Sequence, residues 1–119
     1  MDKPHKKLDA WKQSMELVVD VYQITNQFPP QERYGLIDQI RRAAISIPSN
    51  IAEGAARQTG REFANYLHIA QGSLSELDTQ VELARQLDYI NAANYKLLDE
   101  RSTRIDKMIT GLIHHLAKR

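Results

Sequence analysis

The stretch GAARQTGR, residues 54–61, has glycines spaced in a way that suggests a phosphate-binding loop. A Walker loop places four residues between its first glycine and a Gly-Lys pair. Here five residues separate Gly54 from Gly60, and Arg61 replaces the lysine. No strand pattern precedes the stretch. The sequence therefore argues against a nucleotide-hydrolysing loop, and it leaves open only an anion site at the N-terminus of the helix that begins here.

The histidines and serines offer no recognisable catalytic or metal-binding arrangement. A di-iron helix bundle uses Glu-x-x-His motifs, but Asn65 stands three residues before His68 and Gly111 three before His114. His114 and His115 are adjacent, so they point about 100° apart on a helix and do not share one metal ion. The serines lack a nucleophile elbow, and the chain has no cysteine. We expect no enzyme activity, no metal, no cofactor and no small-molecule substrate.

Composition is that of an ordinary globular domain. The 119 residues are 42% hydrophobic and 26% charged, with a net charge of +1. No apolar run approaches the roughly 20 residues that cross a bilayer, so we expect no membrane association and a cytoplasmic location. The charge is uneven along the chain, because residues 59–90 carry a net −3 and residues 91–119 a net +3. This alternation is typical of neighbouring helices that attract one another.

Three segments have the apolar spacing of amphipathic helices. The first begins near Asp9 and ends before the FPP sequence at Phe28, because the residue before a proline avoids the α region. The third begins with TGRE, where Thr59 and Glu62 have the spacing of a capping box, and runs to about Leu87. The fourth follows Asn91, a plausible N-cap. No segment alternates with the period of a strand.

The second segment contains a proline but keeps its helical spacing on both sides of it. Apolar positions from Ile37 to Ala55 stay in phase across Pro48, which predicts one kinked helix from about Glu32 to Arg57. Four such helices predict an all-α, antiparallel up-down four-helix bundle. Residues 8–119 form this single domain and residues 1–7 a flexible tail. Trp11 is expected to be largely buried.

The second helix is apolar on more sides than one core requires. A surface helix of a monomer needs a single apolar stripe, so we expect a homo-oligomer. The candidate interface residues lie on one flank of this helix: Arg41, Ile45, Pro48 and Ala52. The alternative is that the bundle itself buries this helix more deeply than the others.

Two long stretches resemble the four-helix bundle proteins found in intervening sequences of bacterial 23S rRNA genes. They are FPPQERYGLIDQIRRAAISIPSNIAEG and REFANYLHIAQGSLSELDTQVELA, followed by LDYI. The motifs that carry the resemblance are Gln39 with Arg42, SIPSNIAEG at Ser46–Gly54 and IAQGSLSEL at Ile69–Leu77. Members commonly have glycine where this chain has Asp88. The resemblance extends from about Leu8 to the last helix.

This resemblance implies a ring-like homo-oligomer, usually a pentamer, and an association with RNA or nucleic-acid-handling proteins. It brings no catalytic residue, and the family has no settled activity. A relative of the same fold is the accessory protein of diversity-generating retroelements, which works beside a reverse transcriptase. Two functions therefore stay open, namely nucleic-acid association and a protein-binding scaffold.

The basic residues that would contact nucleic acid belong mainly to the fourth helix. They are Lys96, Arg101, Arg104, Lys107, Lys118 and Arg119, with Lys3, Lys6 and Lys7 in the tail.

Overall fold

The computed structural model describes residues 3–118 and consists, over that range, of helices without strands. The four α-helices are α1 (Asp9–Thr25), α2 (Leu36–Ala55), α3 (Gly60–Gln86) and α4 (Ala92–Ala117). Single turns of 3-10 helix at Pro4–Lys7 and Pro30–Glu32 precede α1 and α2. The predicted antiparallel four-helix bundle is confirmed, and it measures 46 × 25 × 19 Å.

Each helix packs against two others, so that α2 lies diagonally across the bundle from α4. α1 contacts α2 and α4, and α3 contacts the same two helices. The core between them is aliphatic, and its fully buried large side chains include Leu17, Ile47, Leu67, Leu77, Ile105 and Ile109. Burial of this kind contributes about 1.5–3 kcal/mol for each large side chain.

Helix α2 passes through Pro48 without a break, as its periodicity predicted. Proline has no N–H to donate to the carbonyl of Ala44, and nearby polar side chains add hydrogen bonds to the same turns. The Ser49 hydroxyl donates to the Ile45 carbonyl at 2.8 Å, and Nδ2 of Asn50 donates to the Ser46 carbonyl at 2.8 Å. Since Pro48 and Ile47 are both buried, packing offsets the cost of the proline.

The start of α2 differs from the prediction. Glu32 belongs to the preceding 3-10 turn, and the helix begins four residues later, after Gly35. Oε1 of Glu32 accepts a hydrogen bond from the Leu36 N–H at 3.3 Å, so this carboxylate binds a backbone donor of the first turn of α2. The predicted end at Arg57 is also two residues too late, since α2 ends at Ala55.

The N-terminal segment and Trp11 both pack against the bundle. Residues 4–7 form a 3-10 turn that contacts α1 and α2, and the flexibility of residues 1–7 stays a prediction. Residues 1 and 2 lie outside the described range. Trp11 is partly buried against the core, and its ring centroid lies 4.9 Å from that of His5.

Helix α3 ends in a Schellman motif that requires a left-handed residue. Asp88 has φ = 61°, the Tyr89 N–H donates to the Ala84 carbonyl at 2.9 Å, and the Asp88 N–H donates to the Arg85 carbonyl at 3.1 Å. The family resemblance implies glycine at this position. Aspartate adopts this conformation with some strain, whereas glycine adopts it freely.

We therefore expect Asp88→Gly to stabilise the bundle by about 0.5 kcal/mol, because relief of strain exceeds the extra chain entropy of glycine. Thermal unfolding followed by circular dichroism measures the change. The control is Gln86→Gly, at the last helical residue of α3, which should destabilise by about 0.5–1 kcal/mol. Destabilisation by both variants would contradict the role given to Asp88.

Candidate nucleic-acid interface

The antiparallel topology collects basic residues at one end of the bundle. When each helix is divided at its midpoint, residues 3–17, 46–73 and 105–118 share one end, which we call the basic end. It holds eight Lys or Arg residues, five Asp or Glu residues and all four histidines. The other half, residues 18–45 and 74–104, holds seven basic and nine acidic residues, and we call it the acidic end. The bundle therefore carries a formal +3 at one end and −2 at the other.

The acidic side chains of the basic end are largely engaged in contacts of their own. The four engaged residues are Glu16, Glu53, Glu62 and Asp106, whose partners are Arg101, Arg57, Thr59 and Gln71. The fifth, Asp9, lies in the first turn of α1, where the helix dipole favours a negative charge. These carboxylates are therefore held near other partners.

Most cations of the basic end are unpaired. Within residues 3–118, seven of the eight form no ion pair: Lys3, Lys6, Lys7, Lys12, Arg61, Lys107 and Lys118. All seven are exposed. Lys12 and Arg61 were not among the sequence candidates, because counts over consecutive residues hide what an antiparallel bundle brings together. The signal that finds them is the topology, which places the starts of α1 and α3 beside the end of α4.

The structure separates the fourth-helix candidates from one another. Lys107 and Lys118 lie at the basic end, and Arg104 is exposed near the middle of α4. Lys96 lies at the acidic end, with Nζ 3.9 Å from Oε1 of Glu100. Arg119 lies outside the described residues.

Arg101 is engaged within the bundle and is only one-third exposed. Its Nη1 donates to Oε2 of Glu16 at 3.1 Å. Its Nε lies 2.7 Å from Oδ2 of Asp20, a charge contact without the alignment of a hydrogen bond. These contacts join α4 to α1 and leave little of the Arg101 charge for a phosphate.

Two tyrosine hydroxyls at the acidic end donate to carboxylates. The Tyr89 hydroxyl donates to Oε2 of Glu32 at 3.0 Å, and the Tyr95 hydroxyl donates to Oε2 of Glu82 at 2.5 Å. These hydrogen bonds, with a smaller effect of burial, raise the pKa of both tyrosines above the usual value. Both contacts join elements of the bundle, so they are structural.

An open groove lies between α3 and α4 at the basic end and has a volume of about 670 Å³. Its aliphatic wall includes Ile113 and Leu116 of α4, and its polar wall includes Arg61 and His68 of α3. Gly60 also lines the groove, and a β-carbon on it would lie 3.5 Å from Cδ2 of Leu116. His68, which has no metal-binding motif in the sequence, lines the same cavity.

The candidate interface residues of α2 have unequal exposure. Pro48 is buried inside the chain, Ala52 is half-buried, and Ile45 is 41% exposed. Arg41 is directed to α1, where Nε donates to Oγ1 of Thr25 at 3.0 Å and the guanidinium lies 4.3 Å from the ring centroid of Tyr22. The bundle itself thus accounts for much of the apolar surface of α2.

Exposed large apolar side chains are nevertheless most frequent on α1 and α3. Among the described residues, α1 exposes Met15, Val19 and Tyr22, α3 with its C-cap exposes Ile69, Leu83 and Leu87, and α2 and α4 expose one each, Ile45 and Leu97. We call Met15, Val19, Tyr22 and Ile45 the α1–α2 patch. Arg41 lies one helical turn before Ile45 and contacts Tyr22 and Thr25, which places Ile45 on the same side of this helix pair as Tyr22. Exposed apolar clusters of this kind are typical of interaction surfaces.

Tyr34 is 90% exposed in the loop before α2, at the acidic end. Tyr34 was not among the sequence candidates, because a lone tyrosine in a loop carries no periodic signal.

In residues 3–118, no group of three or more His, Cys, Asp or Glu side chains is arranged to hold a metal ion. Over the same range, the model contains no helix with the length and apolar character that a bilayer span requires.

Comparisons with known proteins place the chain in a family. A crystal structure of a protein of unknown function from the S23 ribosomal protein family of Bacteroides thetaiotaomicron is 28% identical, with a TM-score of 0.78 over 87% of this chain and 97% of that chain. No curated protein matches. The model of the 23S rRNA-intervening sequence protein family matches residues 6–111. Because that match covers most of the sequence, the chain belongs to the 23S rRNA-intervening sequence protein family.

Proposed function

We propose that the protein is a non-enzymatic, oligomeric helix bundle that associates with RNA through its basic end. The observation that carries this proposal is the segregation of seven unpaired cations at that end, where the acidic side chains are engaged elsewhere. A cytoplasmic location belongs to the same proposal.

The separation of the two ends matters because salt screens charges over short distances. The Debye length is about 8 Å at physiological ionic strength, and the bundle is 46 Å long. A polyanion at the basic end therefore experiences the local +3 rather than the net +1 of the chain. Binding of this kind is tolerant of sequence and weakens steeply with salt, because each phosphate contact releases counterions.

Self-association would multiply this charge. We propose that copies associate through the α1–α2 patch, in a pentamer as the family resemblance implies. Rotation about a ring axis keeps the same end of every subunit on the same side when the bundles lie along that axis. The basic ends would then form one face of the ring. Because the contacts of a five-membered ring are head-to-tail, the α1–α2 patch of one copy would meet a different surface of the next, for which we propose the exposed apolar residues Ile69 and Leu83 of α3.

Ile45→Glu is expected to dissociate the oligomer and leave helix content unchanged. Ile45 is 41% exposed in the single chain, so a carboxylate there is solvated in the monomer but buried without a partner in the assembly. Light scattering measures the molar mass, and circular dichroism measures helix content.

Leu97→Glu on α4 is the matched control, because Leu97 has a similar exposure of 36% and lies outside the proposed interface. It should leave the molar mass unchanged. A wild-type molar mass near 13.7 kDa at micromolar concentration would contradict self-association, and equal dissociation by the two variants would contradict its location.

A protein-binding scaffold is the second candidate, and the nearly complete exposure of Tyr34 favours it. Tyrosine is enriched among the side chains that dominate protein interfaces. The two functions are separated by titrating a structured RNA at low and physiological salt, beside a pull-down from native cytosol. Salt-dependent RNA binding supports the proposal. Absence of RNA binding, with one protein recovered stoichiometrically, would favour the scaffold.

A further inference from the structure

The groove between α3 and α4 at the basic end combines two kinds of surface that a simple phosphate-attracting patch does not need. Ala64, Ile113, Leu116 and Ala117 provide aliphatic surface, and Gln58, Arg61 and His68 provide polar groups beside it. Its volume of about 670 Å³ falls within the range of small-ligand sites, about 300–1,000 Å³.

The polar groups of this groove are free to bind a ligand. Within residues 3–118, Arg61 and His68 are exposed and their side chains form neither hydrogen bonds nor ion pairs. Arginine offers a planar fork of donors that suits phosphate. The side-chain amide of Gln58 offers both a donor and an acceptor, the pair that the edge of a nucleobase can meet.

A second groove between α3 and α4 has the opposite character. It lies nearer the acidic end and is lined by Asp78, Asp99 and Asp106 among serines and threonines. Three carboxylates there repel a phosphate group. These two grooves therefore differ in the sign of their charge, and of the two, the one at the basic end suits an anionic ligand with an apolar part.

We propose that the groove at the basic end receives one unpaired nucleotide of the bound RNA. The base lies against Ile113 and Leu116, and its phosphate faces Arg61 and His68. This inference rests on the proposed function and adds to it a preference for RNA with unpaired nucleotides over continuous duplex. A base in a continuous duplex is stacked and paired, whereas a base in a loop or bulge can be turned outward into a pocket.

The preference is measured as the affinity for an RNA hairpin that contains an unpaired loop, relative to the affinity for a continuous duplex with the same number of phosphates. The wild-type protein should bind the hairpin roughly tenfold more tightly, the effect of burying about 55 Å² of apolar surface at about 25 cal/mol for each Å². The double variant Ala64→Leu with Ala117→Leu fills the groove without changing charge. It should reduce the preference to about twofold or less, because the base loses that buried area, and leave duplex affinity unchanged.

The matched control is Ala92→Leu with Ala93→Leu, two exposed alanines at the opposite end of α4, which should keep the full preference. If the filled-groove variant does not fold, Gln58→Ala with His68→Ala tests the same point and should also lower the preference.

Three outcomes would overturn the inference. The first is equal binding of hairpin and duplex by the wild type, which would leave the proposed function standing. The second is a groove variant that folds and keeps the full preference for the hairpin. The third is an NMR titration in which inorganic phosphate alone shifts the amide signals of Gly60, Ala64 and Ile113 as the hairpin does, which indicates an anion site without a base. If the protein bound neither RNA, the proposed function itself would be contradicted.

Discussion

Gly54→Ala is expected to destabilise the bundle by about 2 kcal/mol, although alanine is the better helix former. A β-carbon on Gly54 would lie 2.7 Å from Cβ of Tyr66, 2.9 Å from Cδ1 of Phe63 and 3.2 Å from the Phe63 carbonyl oxygen. Neither Cβ nor the carbonyl can move without displacing the backbone of α3. The gain in helix propensity, about 1 kcal/mol, is smaller than the cost of separating two packed helices.

Gly72→Ala is the control, because a β-carbon at Gly72 meets no heavy atom within 4 Å. Gly72 lies within α3 and is exposed, so this change should stabilise by up to about 1 kcal/mol. Urea unfolding of both variants gives the comparison. Similar stabilisation by the two substitutions would show that α2 and α3 are not as close at Gly54 as the structure has them.

Reversing charge at the basic end is expected to have the largest effect on RNA binding. Lys12→Glu with Lys107→Glu removes two unpaired, exposed cations and adds two anions. We expect a loss of affinity of roughly tenfold or more at physiological salt, because phosphate contacts are lost and repulsion is added. Fluorescence anisotropy with a labelled RNA hairpin measures it.

The charge-matched control reverses Arg33 and Arg42, which are exposed at the acidic end. It removes the exposed ion pair of Arg42 with Asp38, worth about 0.3–0.5 kcal/mol of stability, and the like charges that result cost a similar amount. Since net charge changes equally in both variants, the comparison isolates position. Equal losses would mean that RNA responds to the whole charge of the protein and not to one end.

The four helices and the starts of α3 and α4 could be predicted because their signals are local. Thr59 accepts from the Glu62 N–H at 3.1 Å, and Asn91 accepts from the Asn94 N–H at 2.7 Å. In each case the cap and its partner lie three residues apart, so the sequence alone brings them together. The capping box at Thr59 differs in one respect, because the Glu62 carboxylate binds the Thr59 hydroxyl rather than its backbone N–H.

The candidate site was less predictable because its parts meet only in the folded chain. Arg101 pairs with Glu16, which is 85 residues away in sequence, and no local pattern shows that this arginine is engaged. The unpaired cations of the basic end come from the N-terminal segment, α1, α3, and α4 with its C-cap, so they are distant from one another in sequence. The extent to which the bundle buries α2 was also hard to predict from local patterns. Eight residues of α2, including Pro48 and Gly54, are buried between neighbouring helices of the same chain.

The most direct test of the account is the salt dependence of RNA affinity. The logarithm of the binding constant should fall linearly with the logarithm of salt concentration, with a slope steeper than about −3 for the assembly, at roughly −0.7 for each phosphate contact on a single strand. Reversal of Lys12 and Lys107 should make that slope shallower by about 1.4 or more, and reversal of Arg33 and Arg42 should leave it unchanged. A wild-type slope near zero, or an equal change in both variants, would contradict an RNA interface at the basic end.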